Sequence, residues 1–365
     1  MALELLIMMN KKILIIGSQG YLGSRLSQYL ESFKYECEGI DTGFFRNGVL
    51  SKPHKIKTFD CDVRLIGEKE LEGYTEVVFL AGISNDPFGD LTSEKIYDPT
   101  RDYALRIASI CKKMGIKFIF PSSCSVYGAA GKDFLSEQDK TNPQTPYSIN
   151  KIQIEEGLAS VADDSFSPIA LRLGTVYGFS PRIRFDVVIN MLCGLALTTK
   201  EITLNSDGEA WRPHLHIEDA CECIRCCIDW DFPYPELTIL NVGNNSDNYK
   251  VIDIARLIKE NVEGSKLKFL DKTIQDETKE LVKDRKIQDG VDTRTYKVSF
   301  DKIQESLPNF KCQWNVEKGI IDLLKKLRTL KLESATFNQR EFYRLQHIEH
   351  LYNSNQIDGN LFWIR

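Results

Sequence analysis

Within Pro146-Tyr147-Ser148-Ile149-Asn150-Lys151 a tyrosine and a lysine stand four residues apart. On a helix that spacing puts both side chains on one face. A free phenol titrates near pH ~10, too high for a base at neutral pH, but a neighbouring ammonium favours the phenolate. Held in that form, Tyr147 could take a proton from a substrate hydroxyl while Lys151 keeps it ionised. The spacing alone is a weak signal, because Tyr-x-x-x-Lys arises often by chance. It is strengthened by Pro121-Ser122-Ser123-Cys124-Ser125-Val126-Tyr127-Gly128, which closes an apolar strand pattern about two dozen residues earlier. A hydroxyl there could share the substrate proton with Tyr147.

A second constellation suits phosphate. The apolar run 12–16 leads directly into Gly17-Ser18-Gln19-Gly20-Tyr21-Leu22-Gly23, followed by a helical pattern. The first glycine permits a tight turn and the second lets backbone approach a pyrophosphate. The third allows close packing of helix on strand, and the free N–H groups at the helix start face the phosphates. The spacing is GxxGxxG, not the commoner GxGxxG, so the strand before and the helix after carry the reading. Asp41 ends the next strand about 20 residues on, where a carboxylate accepts both ribose hydroxyls of NAD and repels the 2′-phosphate of NADP. The bland alternative is a turn aspartate. Asp62 and Val63 stand where a chain could touch adenine. The positive ring of such a cofactor would favour the Tyr147 phenolate further.

These residues need a scaffold, and the hydrophobic pattern supplies one. Strand-like runs at 12–16, 37–41, 77–82, 116–123 and 167–178 alternate with helical patterns at 21–33, 93–114 and 146–162. Continuous apolar strands alternating with helices predict an α/β fold, a Rossmann-type doubly wound parallel sheet covered on both faces. Residues 11–178 form this domain, and 211–244 return to it as one more helix and strand. The pattern loosens over 179–210 and 245–330, where a smaller α/β unit is expected. KDRKIQDGVDTR (283–294) reads as a solvated, loop-rich surface, and MALELLIMMNKK as a short extension before the first strand. From about 331 a helical tail carries REFYRLQHIEHLY (340–352), an amphipathic helix without an evident partner.

Composition narrows the function classes. The chain has 365 residues, 42% of them hydrophobic, and a net charge of -5, whereas a general nucleic-acid binder is more often basic. No apolar run reaches the ~18 residues that span a bilayer, and the N-terminus is apolar first and basic second, the reverse of a secretory signal. Of ten cysteines, only Cys221, Cys223, Cys226 and Cys227 cluster. On one helix, residues two apart point to different sides, so these sulfurs do not converge on an ion. They read as small buried apolar residues, reduced in a cytoplasmic setting, and no metal is expected.

With those residues in place, the chain resembles the extended short-chain dehydrogenase/reductase family, in particular its NAD-dependent nucleotide-sugar epimerases and dehydratases. The resemblance runs from Gly17 through at least Asp301. It rests on the glycine triplet, Asp41, Asp62-Val63, Leu80-Ala81-Gly82, SSCSVYG, PYSINK, LRLGTVYG (171–178), WRPHLHIEDA (211–220) and NVGN (241–244). It implies NAD held by Gly17, Gly20, Tyr21, Leu22, Gly23, Asp41, Asp62, Val63 and Leu80 to Gly82, and by Tyr147 and Lys151. It further implies a smaller C-terminal domain over a nucleotide-diphosphate sugar and a homodimer built on helices 93–114 and 147–162. Carried over by position, Ser123 matches the catalytic Ser/Thr, Tyr147 the base and Lys151 its partner on the nicotinamide ribose. Arg212 resembles the arginine that grips the substrate diphosphate and Arg294 a second arginine near the nucleotide, both suited by the planar fork of donors. Ser84, Thr175 and Asn190 fall at substrate-facing positions.

Departures bear on the reaction. Dehydratase members follow the catalytic residue with Asp-Glu, where this chain has Cys124-Ser125. Members that epimerise beside a ketone carry a cysteine two residues after the serine, and here that position is Ser125. Cys124 should therefore point away and pack. Thr100 and Thr175 stand where many members have asparagine. The residues present suffice for C4 epimerisation through a transient 4-keto sugar. A 4-dehydrogenase, 4-ketoreductase or dehydratase is the alternative, and a non-catalytic NAD-binding protein a third reading.

Overall fold

The computed structural model describes residues 11–53, 56–84, 93–129, 131, 133–230, 235–269 and 294–364. The extension through residue 10 and nearly all of the charged stretch 283–294 lie outside the described residues. Seven strands form one parallel sheet: β1 (Lys12–Ile16), β2 (Glu36–Asp41), β3 (Lys57–Asp60), β4 (Glu76–Phe79), β5 (Lys117–Ser123), β6 (Ile169–Leu173) and β7 (Thr238–Val242), in the order β3-β2-β1-β4-β5-β6-β7. The chain folds outward from β1 in both directions. In such sheets ligands bind beyond the carboxyl ends of the strands where the order reverses, here between β1 and β4. In register, Ile16 lies beside Ile40 and Phe79, and Ser123 beside Leu173. Gly17, Asp41, Leu80 and Ser123 therefore end on one edge.

The strands read as unbroken apolar runs because helices cover both faces. β4 and β6 are buried along their whole length. On one face α1 (Tyr21–Ser32) lies beside α4 (Ile217–Asp229), clamped by Arg25 Nη2 on Glu218 (2.6 Å). On the other, α2 (Ser93–Met114) crosses α3 (Pro146–Val161), with Asn150 Nδ2 donating to the Tyr97 carbonyl at 2.6 Å. The helices approach closely at Gly157, where a Cβ would meet Leu105 at 2.5 Å. Thr145 caps α3 and Pro146 opens it, which places Tyr147 in the first turn.

Two expectations are refined. The pattern 167–178 is two strands, not one. After β6, Gly174 still donates to the Val242 carbonyl (3.0 Å), but residues Thr175–Tyr177 leave the large sheet and pair in parallel with His214–His216. The segment Trp211–His216 is accordingly a strand of a separate three-stranded sheet, and only α4 and β7 return to the large one. His214 and His216 both meet the Tyr177 ring edge-on (6.3 and 5.3 Å between centres).

The last segment is anchored along its length. Phe337 fills the space beside Gly194 and contacts the Phe185 ring at 4.8 Å. Helix α5 (Arg344–Asn353) then joins Ile348 and Leu351, with Ile357 and Leu361, to Ile96 and Tyr97 of α2. Among the described residues no helix is long and apolar enough to cross a membrane.

Candidate active site

The glycine turn fits a dinucleotide. Gly17 has φ +94°, and a Cβ on it would stand 2.8 Å from the Ala81 nitrogen, so the turn lies flush against the end of β4. A Cβ on Gly23 would come within 2.2 Å of the Gly17 carbonyl, which is how closely α1 sits on the turn. Gly20 caps α1 without any side-chain bond, leaving the first N–H groups of the helix, those of Tyr21, Leu22 and Gly23, open to an anion. The Gln19 side-chain oxygen is buried here without a partner. Asp41 accepts from the Gln19 N–H (2.8 Å) and the Gly43 N–H (2.7 Å). Burial raises its pKa despite these bonds and the nearby Arg182 and Arg344. The carboxylate, the open helix end and the unpartnered oxygen together fit the ribose and diphosphate of a dinucleotide.

The remaining cofactor candidates line the same edge with different duties. Tyr21 is buried and its hydroxyl donates to the Gly178 carbonyl at 2.7 Å. Asp62 is committed to Arg64, at 2.6 Å and with a second bond to its backbone N–H, and Val63 is buried behind them. Gly82 has φ +151° and abuts Thr100 at the end of β4. Thr100 donates to the Ile96 carbonyl and accepts from Tyr103, both at 2.8 Å.

Lys151 packs against β5 beside the Tyr147 ring, and Ser123 ends the same strand. Lys151 Nζ donates to the Pro121 carbonyl at 2.8 Å, lies 4.3 Å from the Phe120 ring centre and 5.6 Å from that of Tyr147. Burial against this apolar strand pushes its ammonium down to about 8, with Glu155 opposing. Ser123, two residues beyond Pro121, accepts from the Ser125 N–H at 3.2 Å. Cys124 points away, as expected: its Sγ donates to the Arg172 carbonyl (3.1 Å) and burial raises its thiol. Tyr147 meets Tyr97 edge-on at 6.3 Å and shares an apolar cluster with Ile83 and α5.

Among the substrate-side candidates, Arg212 and Arg294 come together. Arg212 is buried, lies 5.3 Å from the Tyr296 ring centre, and donates to the Trp211 carbonyl at 2.8 Å and to that of Arg294. Thr175 joins the same small sheet opposite His214. Ser84 accepts from Arg184. Asn190, expected at a substrate-facing position, is fully enclosed. Its carbonyl accepts from the Gly178 N–H (2.9 Å) and its amide donates to the Arg184 carbonyl (3.0 Å) and the Tyr21 hydroxyl (3.3 Å), so it braces the turn from behind.

Three arginines escaped the sequence reading. Arg184 pairs with Asp186 at 2.9 Å and stands close enough to Tyr147 for their charges to interact, while Arg182 and Arg344 lie near Asp41. The only sequence signal was the alternation of Arg182 and Arg184 with apolar Ile183 and Phe185. All ten cysteines are unpaired, and Cys221, Cys223 and Cys227 are fully enclosed in α4.

Residues 13–243 match the family described as the NAD dependent epimerase/dehydratase family. The chain is 30% identical over 279 residues to a protein of Bacillus subtilis (strain 168) named as an uncharacterized UDP-glucose epimerase, YtcB, covering 72% of this chain and 85% of that one. Its fold is similar to that of TunA, an NAD-dependent NDP-hexosamine 5,6-dehydratase of tunicamycin biosynthesis (TM-score 0.73, 20% identity, 88% and 99% of the two chains). It is also similar to UDP-glucuronic acid 4-epimerase from Bacillus cereus, solved with UDP-glucuronic acid and NAD (TM-score 0.69, 22% identity, 87% and 99%).

Proposed function

This chain belongs to the NAD-dependent epimerase/dehydratase family, and we propose that it is a nucleotide-sugar epimerase that inverts C4 through a transient 4-keto sugar. NAD, held at the glycine turn, supplies the hydride acceptor and donor. Tyr147 takes the proton from the C4 hydroxyl and later returns it. Ser123 shares that proton and stabilises the developing alkoxide, and Lys151 keeps the phenol ionised. Arg212 grips the sugar nucleotide's diphosphate, Arg294 stands near its nucleotide, and Ser84 and Thr175 face the substrate. The open faces of α2 and α3, where Ile149 is exposed, suit pairing into a homodimer.

The observation that carries this reading is what stands beside Ser123. The next two residues are Cys124 and Ser125, both buried, with the sulfur turned to the Arg172 carbonyl. Neither of these two positions carries the carboxylic acid that would drive loss of water, and inversion at C4 requires none. The sugars named for the relatives, UDP-glucose and UDP-glucuronic acid, are the first substrates to try, with GDP- and dTDP-sugars beside them. The expected result is the C4 epimer with no net change in NADH, and with C4 deuterium retained in the product. Stoichiometric NADH release would establish a dehydrogenase instead, and loss of the C6 hydroxyl a dehydratase.

A further inference from the structure

The segment 340–364 lies across the carboxyl edge of β2, β3 and β4. The Trp363 indole N–H donates to the Thr42 carbonyl at 2.6 Å, and His347 Nε2 bonds the Phe44 carbonyl at 2.7 Å, both in the loop that follows Asp41. Arg64, which holds Asp62, also donates to the carbonyls of Asn360 and Leu361 and stacks 3.5 Å from the Phe362 ring centre. Further along, Ile348, Leu351, Ile357 and Leu361 cluster with Ile83 and Tyr147. One segment thus touches the surroundings of the ribose carboxylate, of Asp62 and of the candidate base.

This segment also delivers a charge. Arg344 is 4% exposed and Arg182 9%. The Arg344 guanidinium donates only to the carbonyls of Glu341 (3.3 Å) and Arg182 (3.2 Å) and lies 4.1 Å from the Phe45 ring centre. Among the described residues neither Arg182 nor Arg344 has a carboxylate within ion-pair distance, and Arg182 Nε has no partner at all. The nearby Asp186 is otherwise engaged, by Arg184 and by the Arg344 N–H (3.1 Å). Asp41, held by two backbone N–H groups, is the charge that both arginines feel. Among the described residues, Arg182 and Arg344 share the single carboxylate of Asp41, an excess of positive charge in a buried place, which is costly unless an anion completes it. Burial and the neighbouring arginines accordingly depress Arg344 to about 9.

We propose that Arg344, with Arg182 and Arg184, forms a buried cationic pocket for the diphosphate of the dinucleotide, and that residues 340–364 strap that cofactor into its cleft. The row runs from Asp41 past Arg344 to Arg184 beside Tyr147, alongside the track a dinucleotide takes from its ribose to its redox ring. The inference rests on the dinucleotide lying at the glycine turn. A sugar nucleotide carries the same diphosphate chemistry, so the test separates the two.

The test uses the full chain stripped of nucleotide, with NAD and UDP as probes in calorimetry. For Arg344→Ala the expected result is a rise in the NAD Kd of tenfold or more, equivalent to ~1.4 kcal/mol or more, with UDP affinity unchanged. Should that variant fail to fold, Arg344→Lys and Arg344→Gln decide. Lysine keeps the charge and should restore much of the NAD affinity, whereas glutamine keeps a donor for the carbonyls and should not. Equal NAD affinity in Arg344→Ala, better rescue by glutamine than by lysine, or a loss confined to UDP would each overturn the proposal. Failure of the unaltered protein to bind NAD would instead overturn the cofactor assignment beneath it. The strap is read separately: Trp363→Phe should release bound NADH several-fold faster in a chase, and an unchanged rate would refute it.

Discussion

Lys151 stands with its ammonium 5.6 Å from the centre of the Tyr147 ring and fixed on the Pro121 carbonyl at 2.8 Å. That position lets one charge bias the ionisation of one phenol, and burial against β5 lowers the ammonium to about 8 from its ordinary 10.5. Activity should therefore fall on an alkaline limb with an apparent pKa near 8, as the charge that favours the phenolate is lost. Unfolding would not explain such a limb. A depressed lysine binds more protons unfolded than folded between about 8 and 10.5, so its contribution to stability grows as pH rises through that window. A pH–rate profile set beside melting curves over the same range checks both signs. A flat profile through pH 9 would remove Lys151 from the role.

Tyr147→Phe should lower kcat by roughly 10²–10⁴-fold, the usual worth of a positioned acid–base group. NAD binding should survive, because the Asp41 carboxylate, the glycine turn and the open end of α1 are untouched. Single-turnover kinetics with NAD titration by calorimetry separates the two effects. Wild-type turnover in the variant would mean that another group moves the proton.

How much of this was legible beforehand follows from the range of each interaction. Tyr147 and Lys151 are joined by one helical turn, and Gly17 to Gly23 by a turn and the start of α1, so local spacing carried them. Asp41 could be placed because strand length and the crossover geometry are regular. The bonds that Asn190 makes to Tyr21 and Gly178 were not legible, because they cross from another part of the chain and no local pattern announces a brace. Arg344 was invisible for the same reason. REFYRLQHIEHLY announced a helix, but nothing within it showed that the helix would close over Phe44 and Tyr97 some 250–300 residues away. Likewise the break at Gly174 was hidden inside one continuous apolar run.

Behind Ser123 a buried network holds β5 and β6 to α3. Arg172 Nη2 pairs with Glu155 at 2.7 Å, Ser122 donates to the same carboxylate at 2.5 Å, and Arg172 also reaches the Tyr127 hydroxyl at 3.0 Å. Glu155→Ala leaves an enclosed guanidinium unpaired and should cost about 3–5 kcal/mol. Denaturant unfolding is the measurement, and a loss below about 1 kcal/mol would show that the network relaxes around the missing acid.

Asp41 should decide between NAD and NADP. Its two oxygens are oriented by the Gln19 and Gly43 N–H groups, so they are placed to accept ribose hydroxyls and to repel a 2′-phosphate. Removing the carboxylate also removes the negative charge that Arg182 and Arg344 feel, leaving two guanidinium groups close to where a 2′-phosphate would sit. Asp41→Ala should thus weaken NAD binding by at least about tenfold, ~1.4 kcal/mol, while NADP binding holds or tightens, so that the preference narrows from both sides. Titration of both dinucleotides into wild type and variant measures it. Equal losses for the two cofactors would mean that Asp41 supports the turn without reading the ribose.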